Sequence, residues 1–368
     1  MQMACISFRR DGQNKCKCLK DFLLCKVGLI QIAMKKEKPA TIKEIARKLK
    51  ISPSTVSRAL NDHPSIGLVT TMRVKKMAEE MNYEPNQTAI FFKQRKTFTI
   101  GVVLPSLSEP FFSAAISEIE NFANERKYTV IMGQSMDDAE RELRILQTLK
   151  KHRVDGVLMS IGKNTNSFDF IKSMEESEIP VVFFDCVPNL NDIDRIECDL
   201  ATGVYEAIDA FVSRGHQKIA LINGPDTLLA SEERKLAYIK GLRKNDIAFD
   251  DRYLVNTDLT EEGNEEAMNK LLTLSDRPSA ILSFNDFVTL DVMKFARQRG
   301  VSLNSDIHFI SFANYPLWKY MENPPMGSIE QFPDQQAKKA AEILFNRLEN
   351  KEEYKPQQFI FKSRLILQ

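Results

Sequence analysis

The chain has 368 residues, of which 43% are hydrophobic and 27% charged, close to the average for folded soluble protein and enough for two or three domains. That balance excludes a wholly disordered chain, and no run of 18 apolar residues offers a membrane-spanning helix. The net charge of +1 conceals an asymmetry: residues 35–96 carry fourteen Lys/Arg against six Asp/Glu, whereas residues 97–368 are net acidic by 11. A small basic module joined to a large acidic body points to a polyanion partner for the N-terminal part alone. Four of the six cysteines (Cys5, Cys16, Cys18, Cys25) crowd the start of the chain. Only Cys186 and Cys198 serve the rest, which suits a reducing cytoplasm better than a disulfide scaffold.

Residues 1–38 read as a disordered extension. The stretch Leu19–Met34 is broken by Lys20, Asp21, Lys26 and Gln31 and lacks a small-residue cleavage site, so it is not a secretory signal. Cys16-Lys17-Cys18 has the wrong spacing for a zinc half-site. Met34 is a candidate for the true translation start. Order is expected from Thr41, where Thr41 and Glu44 have the spacing of a capping box. Ile42, Ile45, Ala46 and Leu49 then follow at one-face helical spacing. Ser52 is a second N-cap, with Pro53 at the first helical position. This second helix runs to about Leu60, burying Val56, Ala59 and Leu60 and showing Ser54, Thr55, Ser57 and Arg58 outside. A third helix, about Leu68 to Met81, starts at Gly67 and buries Met72, Met77, Ala78 and Met81. Two short helices about a tight turn, the second polar outside, make a helix-turn-helix; a helix fits the major groove, and Arg can bond guanine O6 and N7 together.

The body reads as alternating strands and helices. Strands are expected at 99–104, 128–133, 154–160, 180–185, 218–224, 253–258, 280–284 and 308–312, separated by amphipathic segments such as 113–126 and 138–152. The alternation predicts parallel sheets covered on both faces, and the strand count predicts two αβ subdomains. Ligands in such folds sit outside the carboxyl ends of strands or between subdomains.

Residues 41–62, TIKEIARKLKISPSTVSRALND, closely resemble the DNA-binding domain that opens LacI-family transcriptional regulators, and the pattern resumes at Asn82-Tyr83-Glu84-Pro85-Asn86. The resemblance extends to about residue 368 through Leu104–Phe112, Arg153–Gly156, Arg214–His216, Ile222–Pro225 and Asn285-Asp286. It implies DNA contacts at Thr41, Ser52, Pro53, Ser54, Thr55, Ser57, Arg58, Asn61 and Tyr83, with Pro53, Ser54 and Arg58 facing bases. It also implies a short hinge helix with contacts at Asn86 and Ala89. The residue that wedges into the minor groove falls on Phe92, where the family has Leu. Packing against the body or a partner hinge is the competing role for Phe91 and Phe92.

The fold so implied is α/β: an N-terminal helix-turn-helix domain plus a periplasmic-binding-protein-like body of two doubly wound αβ subdomains. The expected division is 39–84 for the DNA-binding domain, 85–97 for hinge and linker, and 98–368 for the body. Within the body the first subdomain takes about 98–197 and 325–355, the second about 198–324 and 356–368, with crossovers near 197, 325 and 355. The resemblance places effector contacts at Arg234 and Asp286, with Phe111, Phe112 and Leu259 as apolar walls. A surface Arg, an N-cap and core packing are the competing roles. Glu109 stands where the family usually has Asn, and Ala313 where it usually has Asp.

Enzyme motifs are missing: no Gly-x-Gly, no Walker lysine loop and no G-x-S-x-G elbow occur, and His63, His152, His216 and His308 are scattered. The expectation is a cytoplasmic, homodimeric regulator that binds double-stranded operator DNA and a small sugar-like effector. It needs no cofactor, metal or membrane. A solute-binding protein without a regulatory role is the alternative, and a carbohydrate-active enzyme the second.

Overall fold

A computed structural model describes residues 40–84, 96–350 and 354–368. The expected extension and the roles expected for Asn86, Ala89, Phe91 and Phe92 lie outside those residues. Contacts divide the chain into two units, Met1–Lys93 and Gln94–Gln368.

Among the described residues of the first unit, three helices enclose a small core: α1 (Ile42–Leu49), α2 (Pro53–Leu60) and α3 (Leu68–Glu80). The capping box forms: Thr41 Oγ1 accepts the Glu44 amide, and Thr41 N donates to Glu44 Oε2 at 2.9 Å. Ser52 Oγ accepts the Thr55 amide at 3.1 Å, and Pro53 opens α2 without losing a bonded donor. Ile45, Ala46, Val56, Ala59, Val74 and Ala78 are buried together, with Leu60 half-buried against them. Met72 corrects the expected inner face of α3, being 63% exposed. The face is set by Thr71, Val74 and Ala78 at three- and four-residue spacing, with Met77 and Met81 flanking it, and Met72 lies one position off that stripe.

The second unit contains two six-stranded sheets. The first comprises β1 (Thr99–Leu104), β2 (Thr129–Gln134), β3 (Gly156–Met159), β4 (Val181–Phe184), β5 (Asp194–Asp199) and β11 (Gln358–Lys362). Its order is β11-β5-β4-β3-β1-β2, all parallel. The second comprises β6 (Ile219–Asn223), β7 (Leu254–Asn256), β8 (Ala280–Ser283), β9 (His308–Phe312), β10 (Gly327–Glu330) and β12 (Arg364–Leu367). Its order is β12-β10-β9-β8-β6-β7, with only β12 antiparallel.

Each sheet is covered on both faces because successive side chains alternate. In β1, Ile100, Val102 and Leu104 enter one core and Val103 the other. In β6, Ile219 and Leu221 face one core, Ala220 and Ile222 the opposite one. Helices α4 (Pro110–Glu125), α5 (Ala139–Lys151), α6 (Asp169–Glu175) and α11 (Pro333–Glu349) belong to the first subdomain. Helices α7 (Leu200–Ser213), α8 (Leu229–Lys244), α9 (Glu261–Leu272) and α10 (Asp286–Gln298) belong to the second.

Three crossings join the subdomains, and two fall later than the sequence suggests. The first runs from β5 directly into α7 at Asp199-Leu200, close to the expected 197. The second lies at 331–332, not near 325, because β10 pairs with β9 in the second sheet (Gly327↔Ile310) before α11 packs on the first. The third lies at Ser363, not near 355. Two strands follow residue 355: β11 pairs with β5 in the first sheet, and only β12 lies in the second. Ser363 fixes the break by accepting the Gly203 amide at 2.9 Å and donating to the Asp199 carbonyl at 2.6 Å. A Cβ on Gly203 would lie 2.8 Å from Ser363 Oγ and 2.3 Å from the Ile329 side chain, so the first and third crossings approach through that glycine.

Candidate nucleic-acid interface and ligand cavity

The outer face of α2 carries the expected DNA-reading side chains. Ser52, Pro53, Ser54, Arg58 and Asn61 are exposed, while Thr55 and Ser57 are half-buried. The hydroxyls form a cluster at the helix start: Ser52 Oγ lies 2.7 Å from Ser54 Oγ and 2.8 Å from Thr55 Oγ1. Asn61 Nδ2 donates to the Ser57 carbonyl at 2.7 Å, which tucks that side chain along the helix end. Arg58 forms no hydrogen bond or ion pair among the described residues, so its five donors remain free for a partner. Lys43, Arg47, Lys48 and Lys50 are exposed on α1 and its turn. Thr41 and Ser52 each have a side-chain oxygen committed to a helix N-terminus, and Tyr83 is half-buried against the core of the unit. Those three fix the geometry of the face as well as bordering it.

In the body, a cavity of about 340 Å³ opens between the subdomains at the carboxyl ends of both sheets. Pro105, Glu109, Phe111 and Phe112 come from the end of β1 and start of α4. Residues 161–163 follow β3, and Asp185–Asn189 follow β4. The second subdomain adds residues 227–230, Glu233 and Arg234 from the β6–α8 region, Leu259, Phe284, Asn285, Ala313 and Tyr315. Buried Glu142 holds the β3 loop by accepting from Gly162 N at 3.0 Å and Thr165 Oγ1 at 2.8 Å. Asp185, Leu259 and Ala313 have φ of 63°, 70° and 96°, so three non-glycine residues take left-handed backbone at the cavity wall. A second depression is lined by Lys218, Phe249, Asp250, Asp251 and Asp276, with Lys218 ion-paired to Asp276 and Asp250 to Arg252.

The cavity brings four of the five expected effector residues together: Phe111, Phe112, Arg234 and Leu259. Arg234 is 4% exposed, with its guanidinium 4.2 Å from the Phe284 ring centroid and 4.3 Å from that of Phe312. Its Nη1 donates to the Ala230 carbonyl at 3.2 Å, and its Nε has no protein partner among the described residues. Burial pulls its pKa down to about 10, leaving it protonated at neutral pH. A guanidinium clamped between two rings is a rigid fork of donors.

Asp286 is a correction. It is fully buried and does not line the cavity. Its carboxylate accepts from Ser311 Oγ, from Ser328 Oγ at 2.8 Å and from the Tyr315 amide at 2.6 Å, tying β9, β10 and the loop after β9 to the start of α10. Asn285, one residue earlier, lines the cavity and caps α10 by accepting the Val288 amide at 2.9 Å. The turn at the end of β8 points one residue outward and the next inward, so a one-position difference decides which residue meets a ligand. Burial pushes the Asp286 pKa up to about 6, against the lowering effect of its hydrogen bonds.

Two carboxylates that do face the cavity have no assigned role in the sequence reading, where Glu109 is only a departure from the family pattern and Asp185 is unmarked. Burial pushes Glu109 up to about 7, assisted by the charges of Asp185 and Asp137, while a Tyr315 hydroxyl at 3.5 Å works against that. Burial raises Asp185 to about 6, opposed by hydrogen bonds from Cys186 and Ser160. The thiols of Cys186 and Cys198 are also pushed up by burial, Cys198 to about 12, so both keep their protons at neutral pH.

Residues 97–366 match the family described as periplasmic binding proteins and sugar binding domain of LacI family, and residues 41–86 match bacterial regulatory proteins, lacI family. The HTH-type transcriptional repressor CytR of Escherichia coli (strain K12) is 29% identical over 320 residues, covering 86% of this chain and 92% of the relative. The lac repressor dimer bound to operator and the anti-inducer ONPF superposes with a TM-score of 0.77 at 21% identity, over 89% of this chain and 98% of that one. A periplasmic binding protein/LacI transcriptional regulator from Alkaliphilus metalliredigens QYMF, complexed with D-xylulofuranose, gives a TM-score of 0.63 at 28% identity, over 73% and 97% of the two chains.

Proposed function

The chain belongs to the LacI family of bacterial regulatory proteins, and from that premise we propose that α2 reads an operator while the cavity between the body subdomains holds the effector that sets operator affinity. It is a DNA-binding transcriptional regulator; we infer a cytoplasmic location and no catalytic turnover. The observation that carries this reading is the pairing of two features in one chain. One is a capped helix with a free Arg58 on its outer face; the other is a cavity lined by the guanidinium of Arg234, clamped between two rings.

Homodimerisation follows from the limits of one reading helix. A single helix meets few bases, and two-fold pairing on a palindrome raises affinity and specificity. Pro53, Ser54 and Arg58 are the proposed base-facing residues. Lys43, Lys48 and Lys50 are proposed phosphate contacts, and the segment with Asn86, Ala89 and Phe92 is the proposed hinge. A solute-binding protein without regulation has no use for a DNA-binding module at residues 41–86.

Coupling has a physical route within the body. Two polar contacts span the cleft: Tyr315 hydroxyl to Glu109 Oε2 at 3.5 Å, and Lys163 Nζ to the Asp258 carbonyl at 3.4 Å. A ligand that strengthens or replaces them favours one subdomain angle over another. It changes operator affinity by its differential affinity for the two states, typically about 1–3 kcal/mol. The test selects a duplex from a random pool with the full chain, then measures its affinity with and without a panel of sugars. A palindromic site whose affinity responds to a sugar supports the reading. Sugar binding with no sequence-selective DNA binding contradicts it.

A further inference from the structure

The charge lining the cavity is unbalanced. Asp137 lies 3.9 Å from Lys163, Glu197 lies 3.1 Å from Arg195, and Glu233 neighbours Arg234 on the same helix, whose charge acts on it through space. Glu109 and Asp185 form no ion pair among the described residues. Their side-chain hydroxyl donors are distant, Tyr315 at 3.5 Å and Ser160 at 3.3 Å. Arg234 acts on Asp185 through space without bonding to it. An independent feature of the same cavity also calls for a ligand: Arg234 is 4% exposed, lines the space, and has an unpartnered Nε.

We propose that the cavity selects a polyhydroxylated ligand carrying a protonated amine, an amino sugar by class, with its ammonium set against Glu109 and Asp185 and an oxygen on Arg234. This rests on the reading of the cavity as the effector site. Withdrawal from water makes both carboxylates hold protons more tightly than usual, and the charge of Asp185 adds to the effect on Glu109. A neutral sugar supplies hydroxyl donors but no cation, leaving Glu109 and Asp185 only the through-space charges of Lys163 and Arg234. A phosphorylated or carboxylated sugar adds a further anion. An ammonium compensates the charge and donates three hydrogen bonds at once. The volume of about 340 Å³ is at the small end for ligand pockets and suits one ring.

The experiment uses the full chain and matched sets of hexoses: the 2-amino sugar, its hydroxyl parent and its 6-phosphate, for several epimers. Affinity is measured by calorimetry and by the thermal midpoint, which a ligand of the native state raises. The expected result is at least one amino sugar binding about tenfold or more tighter than its parent, with no binding of the phosphates. Glu109→Gln and Asp185→Asn, near-isosteric changes, should each bring the ratio of amino-sugar to parent affinity down to about one. Parents or phosphates binding as tightly as the amines overturns the proposal, as does failure of every amino sugar to bind. The two readings fail separately. Neutral sugars that bind as tightly and alter operator affinity retain the effector reading and refute the charge selection. Amino sugars that bind without altering operator affinity retain the selection and refute the regulation.

Discussion

The DNA-binding unit and the body solve the same problem at different scales. Among the described residues, the small unit buries six apolar residues in one core, whereas the body distributes its apolar side chains over four cores on two sheets. Every candidate contact on α2 comes from one stretch of the chain, positioned by two caps and a proline. The cavity draws on segments from Pro105 to Gln331, positioned by strand ends and crossings. Local signals therefore fix the first site, and long-range packing fixes the second.

Emptying a core in the small unit separates the two regions most strongly. Ile45→Ala should cost about 2–5 kcal/mol, a large share of what so small a core supplies. In calorimetry of the full chain, the transition of the DNA-binding unit should shift or vanish while that of the body stays. A shift of the body transition instead would show that the two units do not fold independently. Asp286→Ala probes the body in the same way. It leaves two serine hydroxyls and one amide without their acceptor, at about 1–3 kcal/mol. The body midpoint should fall, while ligand selectivity is retained. Unchanged stability with lost ligand binding would return Asp286 to the site.

A smaller effect concerns pH. Glu109 holds its proton up to about pH 7 in the folded chain, above the ordinary carboxylate range. Its contribution to stability is therefore present below the unfolded pKa and is lost as pH rises through about 7. Asp185 and Asp286, both raised to about 6, add the same sign. His216 and His308, lowered by burial, act oppositely: their contribution is present above the ordinary histidine range and is lost as pH falls. The difference between the parent chain and Glu109→Gln isolates one group. The variant should gain stability on the parent as pH rises from about 5 to about 7. A constant difference across that range would contradict the assigned proton affinity.

The contrast between local and long-range signals also explains what the sequence makes legible. Thr41 with Glu44, and Ser52 with Pro53, declare α1 and α2 locally, so those elements and the exposed Arg58 can be read directly. Met72 misleads because Met is compatible with either face, and Thr71 takes the inner position. Strand β5, Asp-Arg-Ile-Glu-Cys-Asp, is mostly charged and carries no apolar run, so its composition hides it. Strand β10, Gly-Ser-Ile-Glu, is hidden in the same way, with one large apolar residue. The break in 358–367 has no glycine or proline; only the bonds of Ser363 reveal it. At the cavity, matching by position finds the aromatic walls and Arg234 but favours Asp286 over Asn285. Asp185 has a usable signal, being a carboxylate immediately after the apolar strand Val181–Phe184, where parallel sheets bind ligands.

Whether α2 reads bases is decided by the affinity of Arg58→Ala for the selected palindrome and for a scrambled duplex of equal length, both at the same salt. A base-reading Arg58 predicts a loss of about 1–3 kcal/mol on the palindrome, relaxed preference at one position of each half-site, and little change on scrambled DNA. Equal loss on both duplexes would make Arg58 a phosphate contact and contradict the assignment of α2 as the reading helix.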